Sequence, residues 1–310
     1  MRKVLNDDAL NAQFVRDGYV RVPFITPAEV VELKQLFFDS LPNSGGQITA
    51  DETGLEDSPL ITYDFTFIDK NPQYKQQVFD IITARFKARM DALLADYRPI
   101  IANYIRKMSD NGEVPLHENW AFADERKCFT VSIWCPLVDS TIENGTLQVV
   151  PGSHKRFGEV RGPMIPWELD KIKREIIDNH LVQLETKAGD CVILDDSIVH
   201  YSAINRTEGL RLAIQLICIP SEMPSLHYHM DSANNPGMVD MLEVDVKFYM
   251  QFNPWKKPEG AKKLRSMPHT TRFIDEAEFI QRLKGPRFDE LPETPATEGG
   301  IFSRLKKVFA

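Results

Sequence analysis

Between residues 128 and 220 the chain breaks into short apolar segments set apart by turn dipeptides, and this rhythm limits the fold more than any other feature. The segments are 128–138, 145–152, 181–189, 191–196 and 210–220, punctuated by Asn144-Gly145, Pro151-Gly152 and Gly189-Asp190. Gly and Asn accept the left-handed backbone of tight turns, and Pro presets the first turn angle. Segments of this length and spacing suit an antiparallel sandwich or barrel. A helical stretch over 166–179 interrupts them. The expected class is mainly β with flanking helices.

The flanks read as helices and one further strand. A short helix is expected over 8–17, then a strand over 18–25 in which Val20, Val22 and Phe24 alternate with polar neighbours. Thr26-Pro27-Ala28-Glu29 is a helix start, with its cap, a proline at the first position and an acid three residues on. Val78, Ile81, Ile82, Phe86, Met90, Leu93 and Leu94 form one stripe over 72–94, as in a helix lying on a sheet. A turn at Tyr97–Pro99 precedes a strand over 100–108. Residues 43–60 and 221–245 read as irregular loops, the natural place for a specificity lid, and 270–284 as an amphipathic helix. The expected organisation is a single domain over 1–290, a linker over 291–300, and a short basic amphipathic helix over 301–310.

Several side chains stand out against this frame. In a strand, residues two apart share a face, so His117 and Asn119 would point the same way and Glu118 the other. His200 and Ser202 repeat that spacing on a distant segment, and Arg211 opens the next one. Two ligands on one face plus a third from a distant strand make a facial metal site. A guanidinium fork beside it suits a carboxylate, because its donors are planar and paired. Most histidines are hydrogen-bonded structural residues. His154 reads as a turn residue, His180 as a helix end and His269 as a surface residue. His227 and His229 form a pair without a third partner nearby.

Taken together, His117, Asn144-Gly145, Pro151 through Lys155, Gly189-Asp190, His200, Ser202, Asn205 and Arg211 resemble the phytanoyl-CoA dioxygenase family. The opening strand and helix resemble that family's start, and the likeness runs over roughly residues 15–220. It implies a double-stranded β-helix (a jelly roll, cupin-like) and a non-haem Fe(II)/2-oxoglutarate-dependent dioxygenase. Such an enzyme would use O2 to hydroxylate a small or medium aliphatic substrate. It implies His117, Asn119 and His200 at the metal, Arg211 and Ser202 on the 2-oxoglutarate carboxylate, and Trp134 lining that pocket.

Position 119 departs from the family pattern, where a carboxylate completes two histidines. Three arrangements follow from the neutral Asn119. Its carbonyl oxygen serves as a weak third ligand. Alternatively Glu118, Asp195 or Asp196 substitutes for it. Otherwise the chain is a non-catalytic relative that binds a small carboxylate or a protein partner.

Composition narrows the rest. A net charge of −8 disfavours nucleic acid and anionic membranes. No apolar run approaches the ~20 residues of a membrane span, and no secretory signal is visible. Cys128, Cys135, Cys191 and Cys218 lie far apart without a CxxC, as expected of reduced thiols in a cytoplasmic protein. Self-association through the terminal helix is left open.

Overall fold

The structure is a computed structural model in which residues 1–48, 62–231, 234–235 and 237–292 are described. Helix α1 (Asp8–Asp17) is capped by Asp7 and stopped by Gly18 at φ 82°, and β1 (Tyr19–Pro23) follows. Helix α2 (Pro27–Ser40) starts on the expected Thr26/Glu29 capping box. Then come β2 (Asp64–Phe65), the long helix α3 (Pro72–Leu93) and β3 (Tyr97–Lys107). Strands β4 (Val114–His117), β5 (Val131–Pro136) and β6 (Leu147–Val149) lead to α4 (Lys173–Asn179). Next are β7 (Val182–Gln183), β8 (Asp190–Asp195), β9 (His200–Ser202) and β10 (Arg211–Pro220).

Among the described residues a major antiparallel sheet has the order β1-β8-β5-β10-β3-β2, and a minor one the order β4-β9-β6-β7. Side-chain alternation along β10 divides the core. Leu212, Ile214, Leu216 and Cys218 pack outward with Val78, Ile82, Phe86 and Met90 of α3. Ala213 packs inward with Trp134, Val192 and Leu194, against Leu147 and Val149 of the minor sheet. Arg211 and Gln215 share the inward face by period two. This is the expected jelly roll: two facing sheets, with helices covering the outer side of one. All four cysteines are buried free thiols.

Several expectations change. The turn assigned to Tyr97–Pro99 is already strand; Pro99 pairs with Cys218 beside a register shift at Ile217/Cys218, an irregularity where a missing N–H is tolerated. The irregular stretch over 221–245 contains β11 (Ser225–Met230) and β12 (Met238–Val244), which pair antiparallel. Leu226, Tyr228 and Val239 bury one face of this ribbon against Ala121. After α5 (Val246–Gln251), the mostly exposed β13 (Lys262–Pro268) completes a third sheet. Helix α6 (Glu276–Lys284) is shorter than 270–284 because Asp275 caps it by accepting from the Glu278 N–H. Residues 49–60 of the expected loop, and 293–310 with most of the linker and the terminal helix, lie outside the described residues. No described helix is long and apolar enough to cross a membrane.

Candidate active site

Strands β4 and β9 pair so that His117 lies directly opposite His200, and their ring centroids are 4.1 Å apart. Each Nδ1 is tied to a carbonyl two residues earlier on its own chain: His117 to Pro115 at 2.7 Å, His200 to Ile198 at 2.8 Å. A carbonyl only accepts, so Nδ1 carries the proton and Nε2 keeps its lone pair on both rings. Burial lowers both pKa values, and the His117 charge pushes His200 further down. Both rings are therefore neutral, the form that binds a metal.

Asn119 reaches the same place by a different route from the one expected. Strand β4 ends at His117, so strand alternation does not orient Asn119. The loop is pinned instead by Arg161, whose Nε donates to the Asn119 carbonyl at 2.7 Å. The Asn119 amide lies against the His117 ring. Its Nδ2 donates to Ser132 Oγ at 3.1 Å and to Asp196 Oδ1 at 2.9 Å. Asp196 is fully buried, and burial raises its pKa to about 7 against the hydrogen bonds from Ser132 and Asn119.

Ser202 and Arg211 form a second group, joined to the first through β9. Arg211 is buried, and its guanidinium sits 5.1 Å from the centre of the Trp134 ring. Its Nη2 donates to Gly145 O and Ser202 Oγ at 3.2 Å each, while Nε and Nη1 have no partner among the described residues. Burial pulls its pKa down to about 9. Gly145 has φ 75°, and a Cβ there would lie 2.0 Å from Ala203 O. Only glycine therefore delivers that carbonyl to the Arg211 side chain.

Lys107 is a neighbour that the sequence did not single out. Its Nζ donates to Ser202 O at 3.0 Å, to Ala203 O at 2.6 Å and to Ser202 Oγ. Burial, then the nearby Arg211, drive its pKa down to about 5.

The remaining candidates take other roles. Glu118 turns away, accepting from Trp167 Nε1 at 2.6 Å. Asp195 accepts from the Ser197 backbone at 2.8 Å, apart from the imidazoles. Of the substitute acids, only Asp196 touches the group around Asn119. His154 sits in its expected turn but is fully buried, with Nε2 3.2 Å from Val15 O. The Pro151–Lys155 turn braces the start of β9: Ser153 Oγ accepts from Val199 N, and Lys155 N donates to Ser197 Oγ. His180 caps the end of α4 and meets Glu276 at 2.9 Å, and His269 is half-buried. His227 and His229 are buried on β11. Among the described residues, no three His, Cys, Asp or Glu side chains converge as a metal-binding group.

Two anchored imidazoles and a buried arginine with unpaired donors among the described residues thus sit in a double-stranded β-helix. The sequence model described as phytanoyl-CoA dioxygenase matches residues 14–213, and the chain belongs to that family. It is 33% identical over 165 residues to the phytanoyl-CoA dioxygenase domain-containing protein 1 homolog of Dictyostelium discoideum, covering 48% of this chain and 55% of that protein. It is 32% identical over 203 residues to the peroxisomal phytanoyl-CoA dioxygenase of Rattus norvegicus, covering 60% of this chain and 53% of the other. The chain thus spans about half the length of these relatives.

Among solved structures, the fold is similar to the epimerase SnoN in complex with Fe3+, alpha ketoglutarate and nogalamycin RO. The TM-score is 0.52 at 20% identity, over 70% of this chain and 85% of that one. It is also similar to the non-heme alpha ketoglutarate dependent carbocyclase SnoK, with TM-score 0.50 at 17% identity, over 71% and 86%.

Proposed function

We propose that the chain is an Fe(II)- and 2-oxoglutarate-dependent oxygenase that uses O2 to hydroxylate an aliphatic carbon of a small or medium substrate. One observation carries this reading: Arg211 is a buried cation with two nitrogens unpaired among the described residues, and it meets Ser202 on the strand whose His200 faces His117. An unpaired buried charge is costly, and a carboxylate bound there would offset that cost. The donors fit a divalent first-row metal, with two imidazole Nε2 atoms and a neutral amide oxygen in place of the usual carboxylate.

In this reading His117, His200 and Asn119 hold the metal, and Arg211 with Ser202 holds one end of 2-oxoglutarate. Iron and 2-oxoglutarate supply the oxidising chemistry when bound. The protein orients the co-substrate, and Trp134 excludes water from the Arg211 side. Trp120, next to Asn119, packs against Phe67, Phe252 and His227 at the edge of a buried aromatic cluster. Four buried free thiols fit a reducing compartment, and the cytoplasm is the proposed location.

Titration of 2-oxoglutarate into the protein under nitrogen, with and without Fe(II), tests the reading. Binding that strengthens with metal, followed by 2-oxoglutarate consumption in air, is expected. No binding under either condition overturns it. The neutral Asn119 favours a second reading, a non-catalytic relative that binds a small carboxylate. Metal-independent 2-oxoglutarate binding, with no iron retained after purification without added iron, would select it.

A further inference from the structure

The odd residue of the site, Asn119, is held by a carboxylate placed one step behind it. Asp196 Oδ1 accepts from Asn119 Nδ2 at 2.9 Å and from Ser132 Oγ at 2.6 Å. Asp196 is fully buried, and its Oδ2 has no hydrogen-bond partner among the described residues. No lysine or arginine forms an ion pair with it among the described residues. A carboxylate oxygen accepts, so the Asn119 NH2 must face Asp196 and the amide oxygen must face away from it. Arg161 fixes the same residue from its backbone, and the amide rests against His117.

We infer that Asp196 is a positioning residue for the metal site: by holding the Asn119 amide nitrogen, together with Ser132, it aims the Asn119 carbonyl oxygen at the metal. Asn119 and Asp196 are then a charge-swapped pair, with the amide in front and the acid behind. The inference rests on the oxygenase reading above. It has a consequence opposite to intuition. Asn119→Asp alone sets two carboxylates against each other within hydrogen-bonding distance, and such pairs do not both ionise. Restoring the family's ligand therefore helps only when Asp196 is neutralised as well.

The test is Mn(II) affinity with 2-oxoglutarate present, measured by calorimetry under nitrogen on the full chain. Wild type, Asn119→Asp, Asp196→Asn and the double variant are compared, with thermal unfolding of each recorded. Asp196→Asn is expected to weaken Mn(II) binding by about 10–100-fold, the usual effect of removing a partner of a metal ligand. The double variant is expected to recover wild-type affinity or exceed it, a rescue that a merely structural role for Asp196 does not give. The Co(II) absorption spectrum should change with Asp196→Asn and return in the double variant. A folded Asp196→Asn protein that binds Mn(II) as tightly as wild type overturns the inference and leaves the oxygenase reading standing. If Asp196→Asn does not fold, Asn119→Asp against the double variant decides: a double variant that binds no tighter overturns the inference. Wild type that binds no metal with 2-oxoglutarate present removes the oxygenase reading itself.

Discussion

Arg161 and Arg211 are both buried guanidinium groups in one jelly roll, yet they are solvated by the protein in opposite ways. Arg161 holds Glu125 through two contacts at 2.7 and 2.9 Å, and spends its other donors on the carbonyls of Asn119 and Gly158. Burial works against its charge, but Glu125 and Glu118 outweigh burial and raise its pKa. Among the described residues Arg211 has no carboxylate in contact, rests on Trp134, and leaves Nε and Nη1 bare. Residue type and burial alone therefore say nothing about function. What separates the frame from the site is whether the protein completes the charge or leaves it for a ligand.

The largest expected effect lies with the completed pair. Arg161→Met strands Glu125 in the interior, and breaking a buried ion pair from one side costs about 3–5 kcal/mol of stability. Urea unfolding of the ligand-free protein should show that loss. Arg211→Met should leave ligand-free stability unchanged or higher, because it removes a desolvated cation that nothing balances. The loss should appear in 2-oxoglutarate affinity instead, by about 2–5 kcal/mol in calorimetry under nitrogen. Equal destabilisation by the two substitutions would break the comparison, since Arg211 would then have a structural partner. Unchanged 2-oxoglutarate affinity would remove Arg211 from the site.

These contrasts also mark what the sequence could reveal. His117, His200, Ser202 and Arg211 drew attention through local signals, period-two spacing and a strand start, whereas Trp134 entered only through the family resemblance. The Pro151–Lys155 turn and Asn144-Gly145 were legible as motifs, and their purpose is visible only in space. One braces β9, and the other brings a carbonyl to Arg211. Lys107 carried no such signal, and Asp196 stood out only as one of three acids that could replace Asn119, not as its hydrogen-bond partner. Their roles arise where β8 and β3 meet partners far away in sequence: Asn119 lies 77 residues from Asp196, and Ser202 lies 95 from Lys107. Strand alternation does not orient Asn119, which Arg161 and Asp196 hold instead. The ribbon β11–β12 was hidden because histidines occupy alternate positions of β11, and β13 because its exposed residues leave no apolar period.

Lysine offers a third way to bury a cation, and Lys75 provides the smallest and most easily isolated test. It lies on α3, is 5% exposed, donates to Phe252 O at 3.1 Å, and sits 5.7 Å from the centre of the Phe67 ring. Burial, only partly opposed by Asp69, lowers its pKa to about 8. A lysine sheds its proton more readily than an arginine when buried, so Lys75 needs neither a carboxylate nor a ligand. The unfolded chain keeps the lysine proton up to its ordinary value of 10.5, while the folded protein gives it up from about 8. Between those values the unfolded state binds more protons, so stability linked to Lys75 rises with pH. The expected gain of wild type over Lys75→Met is about 1.4 kcal/mol on going from pH 7 to pH 9. Other groups titrate in this range, and only the difference between the two proteins isolates Lys75. Paired urea curves at the two pH values measure it. Parallel behaviour of the two proteins would show that Lys75 stays charged when buried. Cations in this interior would then persist without a carboxylate, and the bare donors of Arg211 would lose their force as a sign of a missing ligand.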